Sequence, residues 1–151
     1  MDYQHVQWGW FAPPTAILFA VVLVPMVAGR DEVGTALIGG IVLFMAVILA
    51  VVVWFSRLAT IVVAGTLEVT FGLWGRGWPR REFDLAEVTV VGEAASPWWY
   101  GFGVRKVPNG TMYNIWGLRA VDVALPDGKV FRIGTDDPEG LLAAISLSRS
   151  R

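Results

Sequence analysis

The chain has no cysteine and one histidine in 151 residues, and no charged residue in two long stretches near its start. Each absence narrows the chemistry. Without cysteine there is no disulfide, no thiolate nucleophile and no cysteine-held zinc or iron–sulfur centre. With one histidine, His5, there is no multi-histidine metal site and no base for a serine nucleophile elsewhere in the chain. The formal net charge is -1. Outside the apolar stretches the charges nearly cancel, which leaves no basic field for a nucleic-acid partner.

What remains is apolar. Hydrophobic residues make up 55% of the chain, too many for an ordinary soluble domain of this size. They concentrate in two runs. Phe11 to Ala28 is free of charge, with Pro13 and Pro14 at its start and Pro25 near its end. Proline is tolerated in a first helical turn, where its missing N–H would be unpaired anyway. Trp8, Trp10 and Phe11 stand where interfacial anchors would. Gly29, Arg30, Asp31 and Glu32 make a tight polar turn, and the second uncharged run extends from Val33 to Phe55. At about 1.5 Å per residue the first run is just long enough for the ~30 Å of a hydrocarbon core and the second comfortably so. The first run lacks a basic leader and a convincing small-x-small cleavage site, so it is read as a retained helix.

These features predict a hairpin of two transmembrane helices and a multi-pass protein. Arg57, Arg76, Arg80 and Arg81 follow the second run, so the charge bias places both termini and the later domain in the cytoplasm of a bacterial inner membrane. Ala36 and Gly40, like Ala46 and Ala50, are spaced by four and are candidate helix-packing positions. No ionisable residue lies within either run, which argues against a proton relay, ion pore or carrier.

From Leu58 onward the pattern is one of short strands and turns. Leu58–Val63, Leu67–Phe71, a longer Arg81–Val91 bent near Leu85, Val104–Val107, Met112–Ile115, Leu118–Leu125 and Val130–Ile133 read as about seven strands. Pro108-Asn109-Gly110 and Pro126-Asp127-Gly128 are turns, with Gly110 taking positive φ in the first. Asp137, Pro138 and Glu139 open a closing helix by the rules of N-capping. The divisions are a 1–10 interfacial segment, an 11–55 helical hairpin, a 56–148 β domain with its helix, and a 149–151 tail. Strands without crossover helices fit a small antiparallel β-barrel or split sandwich capped by the last helix.

Certain residues carry a resemblance. Arg80-Arg81-Glu82-Phe83-Asp84-Leu85, Pro97 through Arg105, Tyr113-Asn114, Asp127-Gly128-Lys129 and Ile133 through Glu139 resemble the bacterial pleckstrin-homology-like domains behind short transmembrane hairpins, mostly actinobacterial proteins of unassigned function. The resemblance spans Ser56 to Ile145 and implies a seven-stranded barrel with a helical cap and no enzymatic activity. A second resemblance, in size and topology rather than motif, is to accessory subunits of the actinobacterial cytochrome bcc–oxidase supercomplex.

The candidate sites are few. Trp98, Trp99, Tyr100 and Phe102 form an aromatic loop that can be core, a membrane foot or a docking surface. Arg76, Arg80, Arg81, Arg105 and Lys106 are candidate contacts to anionic lipid headgroups. Gly72, Gly75 and Gly77, and Gly101 with Gly103, follow no nucleotide-binding spacing and read as bends. Asp136, Asp137 and Glu139 read as a helix cap rather than a metal site. The expected function is therefore a non-catalytic membrane accessory or scaffold subunit with no cofactor, its partners being membrane lipids and the subunits of a larger membrane complex. The alternatives are a module binding anionic lipid or a soluble ligand and, remotely, an enzyme.

Overall fold

A computed structural model of the chain describes residues 3–29, 34–73, 77–97 and 101–150. Nine strands and three helices are formed among them. In chain order these are β1 (Tyr3–Trp8), α1 (Ala12–Ala28), α2 (Thr35–Phe55), β2 (Arg57–Val63), β3 (Thr66–Phe71), β4 (Arg80–Asp84), β5 (Thr89–Ala95), β6 (Gly103–Val107), β7 (Gly110–Asn114), β8 (Arg119–Ala124), β9 (Val130–Gly134) and α3 (Pro138–Arg149).

The strands form two open sheets. One has the order β1-β2-β3-β4 and is antiparallel throughout. The other has the order β5-β8-β9-β7-β6 and is mixed, because β7 and β9 run parallel. No closed barrel forms among the described residues, so the expectation of a seven-stranded antiparallel, pleckstrin-homology-like barrel does not hold. Two local events account for the difference. Residues 3–8, expected as an interfacial segment, add a strand. The bend near Leu85 is a full break: Asp84 accepts the Ala86 N–H through its side chain at 2.8 Å, and the chain passes from one sheet to the other.

Alternation along each strand builds the core. Leu58, Val62, Leu67, Val69 and Phe71 from the first sheet meet Tyr113, Val121, Val123, Phe131 and Ile133 from the second. Leu141 and Ile145 of α3 pack on the same cluster. Phe71, Tyr113 and Phe131 form a chain of rings with centroids 5.3 and 4.9 Å apart. α3 starts as its sequence dictates, with Asp137 accepting the Gly140 N–H at 3.0 Å.

Turn chemistry explains two glycines. Gly128 takes φ +79° in the β8–β9 turn. In the β6–β7 turn the positive φ falls on Asn109 (+64°) instead. Gly110 serves a different need, since a methyl group there would collide with the Val130 backbone across the parallel pair.

The helices are inserted between two neighbouring strands. β1 leads into α1, α2 leads into β2, and β1 and β2 are antiparallel partners from Tyr3–Val62 to Trp8–Arg57. The Gly9 N–H extends that ladder to the Ser56 carbonyl at 2.7 Å. Both outer ends of the helical pair are thus fixed at one end of the β domain.

Only α2, with 21 residues, has the length and apolarity to cross a membrane among the described residues. α1 has 17 residues, about 25 Å of helix, and falls short of a ~30 Å core. The first apolar run loses length because Phe11 is spent as the N-cap and Gly29 ends the helix. The expectation of two full spans and a multi-pass placement is corrected accordingly.

Candidate functional site

Two parts of the molecule carry functional information: the surface of the helical pair with the ring of aromatics at its base, and an open cleft between the two sheets of the β domain.

Neither α1 nor α2 contains a buried residue. Their half-buried residues follow helical spacing. Thr15, Phe19, Leu23 and Met26 on α1 and Ile38, Ile41, Met45, Leu49 and Val52 on α2 turn toward each other. The remaining surface is apolar too: Ile17, Leu18, Val21, Val24, Leu37, Leu43, Phe44 and Val47 are all exposed. A helix that is hydrophobic all round requires apolar surroundings on every side. The β domain covers only the base of this pair.

Of the four small residues on α2, Ala46 lines the groove between the helices with Ala16 and Ala20. Ala36, Gly40 and Ala50 are exposed, and a methyl group placed on Gly40 would meet nothing within 4 Å.

At the base of the pair lies a collar of aromatic residues. Phe11, the residue before α1, packs on Phe102 at 5.0 Å and on Trp116 at 5.7 Å, while Phe102 and Trp116 stack at 5.6 Å. Trp54, at the end of α2, donates from Nε1 to the Trp78 carbonyl at 2.7 Å. Trp8 lies beside the Arg57 guanidinium, 5.9 Å from its ring centre. Trp10 (74%) and Trp78 (73%) are among the most exposed large side chains. Indole rings favour the zone between hydrocarbon and water, so this collar marks the level at which such a boundary would cross the molecule. Trp116 was not singled out from the sequence. Its only signal is its place in a short turn between strands, and the contact with Phe11 is purely tertiary.

Of the proposed aromatic loop, Phe102 belongs to the collar. Trp98, Trp99 and Tyr100 lie outside the described residues. Gly101 and Gly103 take positive φ of +72° and +87°, as bends require.

The candidate cations separate. Arg76 lies outside the described residues. Arg80 points outward and bridges Glu68, at 2.9 Å, and Glu82. Arg105 donates from Nε to the Phe102 carbonyl at 3.0 Å, beside the collar. Arg81 and Lys106 line a cleft of about 580 Å³ with Phe83, Thr111, Lys129 and Phe131. Asp127 also lines it and is held by Lys129 at 2.6 Å.

The acidic run before α3 ties β1 down. Asp136 accepts from Gln7 at 2.9 Å and pairs with His5 at 2.5 Å, and the Tyr3 hydroxyl donates to Asp137 at 3.1 Å. Burial alone would raise the Asp136 carboxyl; the bonds from His5 and Gln7 outweigh it and hold the group below its usual range. Burial, reinforced by Asp137, pushes the Tyr3 phenol well above its usual range. His5 is therefore part of a strand-to-helix clasp. Glu139 pairs with Arg119. No group of three or more potential metal ligands exists among the described residues.

Comparison with known protein families, with curated proteins and with solved structures finds no match.

Proposed function

We propose that this is a non-catalytic, membrane-associated protein whose helical pair is embedded in a bilayer from the face where the β domain sits, and which serves as an accessory subunit of a larger membrane complex. One observation carries the reading. A pair of helices with apolar surface on all sides is inserted between two adjacent strands, and aromatic residues ring the junction. Both outer ends of the pair are tied to β1 and β2, so the β domain is held against the membrane rather than tethered by a flexible linker.

The accessory role is supported by what the pair offers. Its outer face is uncharged, so it can contact lipid or the apolar flank of another membrane protein but has no group to move a proton or an ion. The described residues present no metal-ligand cluster. The test is extraction of the native membrane in a mild detergent, followed by mass spectrometry of what co-purifies. The accessory reading expects a partner in fixed ratio that survives size exclusion. Recovery of the chain alone, at every detergent mild enough to preserve known complexes, would overturn it.

A further inference from the structure

The open side of the β domain holds a feature that neither the membrane reading nor the core accounts for. β4 is an edge strand. Its outward residues, Arg80 and Glu82, join Glu68 in a surface ion-pair row. Strand alternation then turns Arg81 and Phe83 the other way, onto the face that carries Leu67 and Val69. Arg81 is thus a cation on the inward face of a sheet.

The opposite wall is built by register. Lys106 stands opposite Thr111, Thr111 opposite Phe131, and Phe131 opposite Val123. Residues directly paired across strands share a face, so Lys106 and Thr111 lie on the same inner face as Phe131 and Val123. The Phe83 and Phe131 rings close the floor at 4.7 Å. Lys129 enters from the β8–β9 turn with Asp127 as its own counter-ion. Arg81 and Lys106 form no ion pair among the described residues. An inward charge can guard an exposed strand edge. That role does not require a second sheet to aim a lysine and a threonine hydroxyl into the same apolar-floored cleft.

The geometry points to a binding site for a small organic anion, with Arg81, Lys106 and the Thr111 hydroxyl taking a phosphate or carboxylate group and Phe83 with Phe131 taking a flat apolar part. The cleft has the size of a small-molecule site. Its place in the fold decides the source. The Asn109 turn stands at the end of the β6–β7 hairpin opposite Phe102 and Trp116, which touch the base of α1. Five residues of strand separate the two ends, about 16 Å at ~3.3 Å each. Lys106 and Thr111 are thus set back from the collar, whereas Arg81 stands three residues after the collar's Trp78; the set-back wall favours a soluble ligand over the headgroups of its own membrane.

The test uses the full chain in nanodiscs of phosphatidylcholine and the probe 4-fluorophenyl phosphate, followed by fluorine NMR line width. Saturable broadening is expected. Arg81→Gln with Lys106→Gln should weaken binding on the order of tenfold or more, since each removes a charge-assisted contact. Lys106→Gln alone, on an exposed edge strand, gives an intermediate loss if the paired variant folds poorly. Arg105→Gln makes the same charge change beside the collar and should leave binding unchanged. Absence of saturable broadening, or equal loss in Arg105→Gln, overturns the site. Inorganic phosphate should compete more weakly than the probe, and equal competition overturns the role of the phenylalanine floor. Phosphatidylglycerol added to the nanodisc should not displace the probe; displacement assigns the cleft to lipid headgroups and overturns the soluble source.

Discussion

The two halves of this molecule use the same side chains to opposite ends. In the β domain, valine, leucine, isoleucine and phenylalanine lie on the inner faces of two sheets and are almost wholly buried, as with Leu67, Val69, Phe71 and Ile133. In the helical pair the same residue types face outward on every side. The β domain solves the hydrophobic problem internally. The helical pair leaves it to its surroundings. Apolar content alone therefore says little about where a segment lives; the decisive property is whether the fold covers it.

The largest effect expected from that contrast is in the core. Phe71→Ala should destabilise the β domain by about 3–5 kcal/mol, since it removes a ring packed between Phe55 and Tyr113. Thermal unfolding followed by near-ultraviolet circular dichroism would show it, with membrane association of the helices unchanged. Concurrent loss of membrane association would show that the halves do not stabilise themselves separately.

Leu43→Arg probes the other half. On a water-exposed surface this change at a residue 67% exposed should cost next to nothing. Near the centre of a membrane-embedded helix it should cost about 3 kcal/mol and reduce the fraction of chain recovered in membranes. Carbonate extraction compares the two directly, and unchanged recovery would place α2 in water.

Asp137→Ala should cost about 1 kcal/mol in β-domain stability through the lost helix cap. Alanine also takes the acceptor from Tyr3, so amide exchange in β1 should rise more than in β3.

The smallest effect concerns pH. The folded Asp136 carboxyl titrates below its unfolded value, so its bonds add stability above the ordinary carboxylate pKa of about 4, and that contribution fades as pH falls through the depressed folded value. Exchange of the β1 amides should quicken on acidification across this window. The shift should vanish in Asp136→Asn, which cannot titrate. A pH response that persists in Asp136→Asn would assign it to another group.

How much of this was legible in the sequence follows from where each signal resides. The turns at Asp127-Gly128, the cap at Asp137 and the strands from Arg57 to Phe71 are local, and local chemistry announced them. β1 was invisible because the face it turns toward α3 is polar. Tyr3, His5 and Gln7 turn toward the acids before α3, and a polar strand face looks like a loop until its partner is known. The parallel pairing of β7 with β9 is likewise non-local, since β8 intervenes in the chain. The break at Leu85 was seen as a bend, but a bend does not say that the strand changes sheets. The aromatic collar was half legible. Trp8, Trp10 and Trp54 sit at the ends of apolar runs, whereas Phe102 and Trp116 reach the junction only through the fold. Arg80 and Arg81 are neighbours in sequence. Alternation divides Arg80 from Arg81, one paired outside and one turned into the cleft.

The absence of cysteine makes the central claim directly testable. Single cysteines placed by Leu43→Cys in α2 and Val63→Cys in β2 substitute two exposed apolar residues, one from each half. N-ethylmaleimide crosses membranes but reacts only with the ionised thiol, which needs water. In intact membranes Val63→Cys should label readily, and Leu43→Cys should stay unlabelled until detergent and denaturant are added. Equal labelling of the two in intact membranes would show that the helical pair is bathed in water, and would contradict the account.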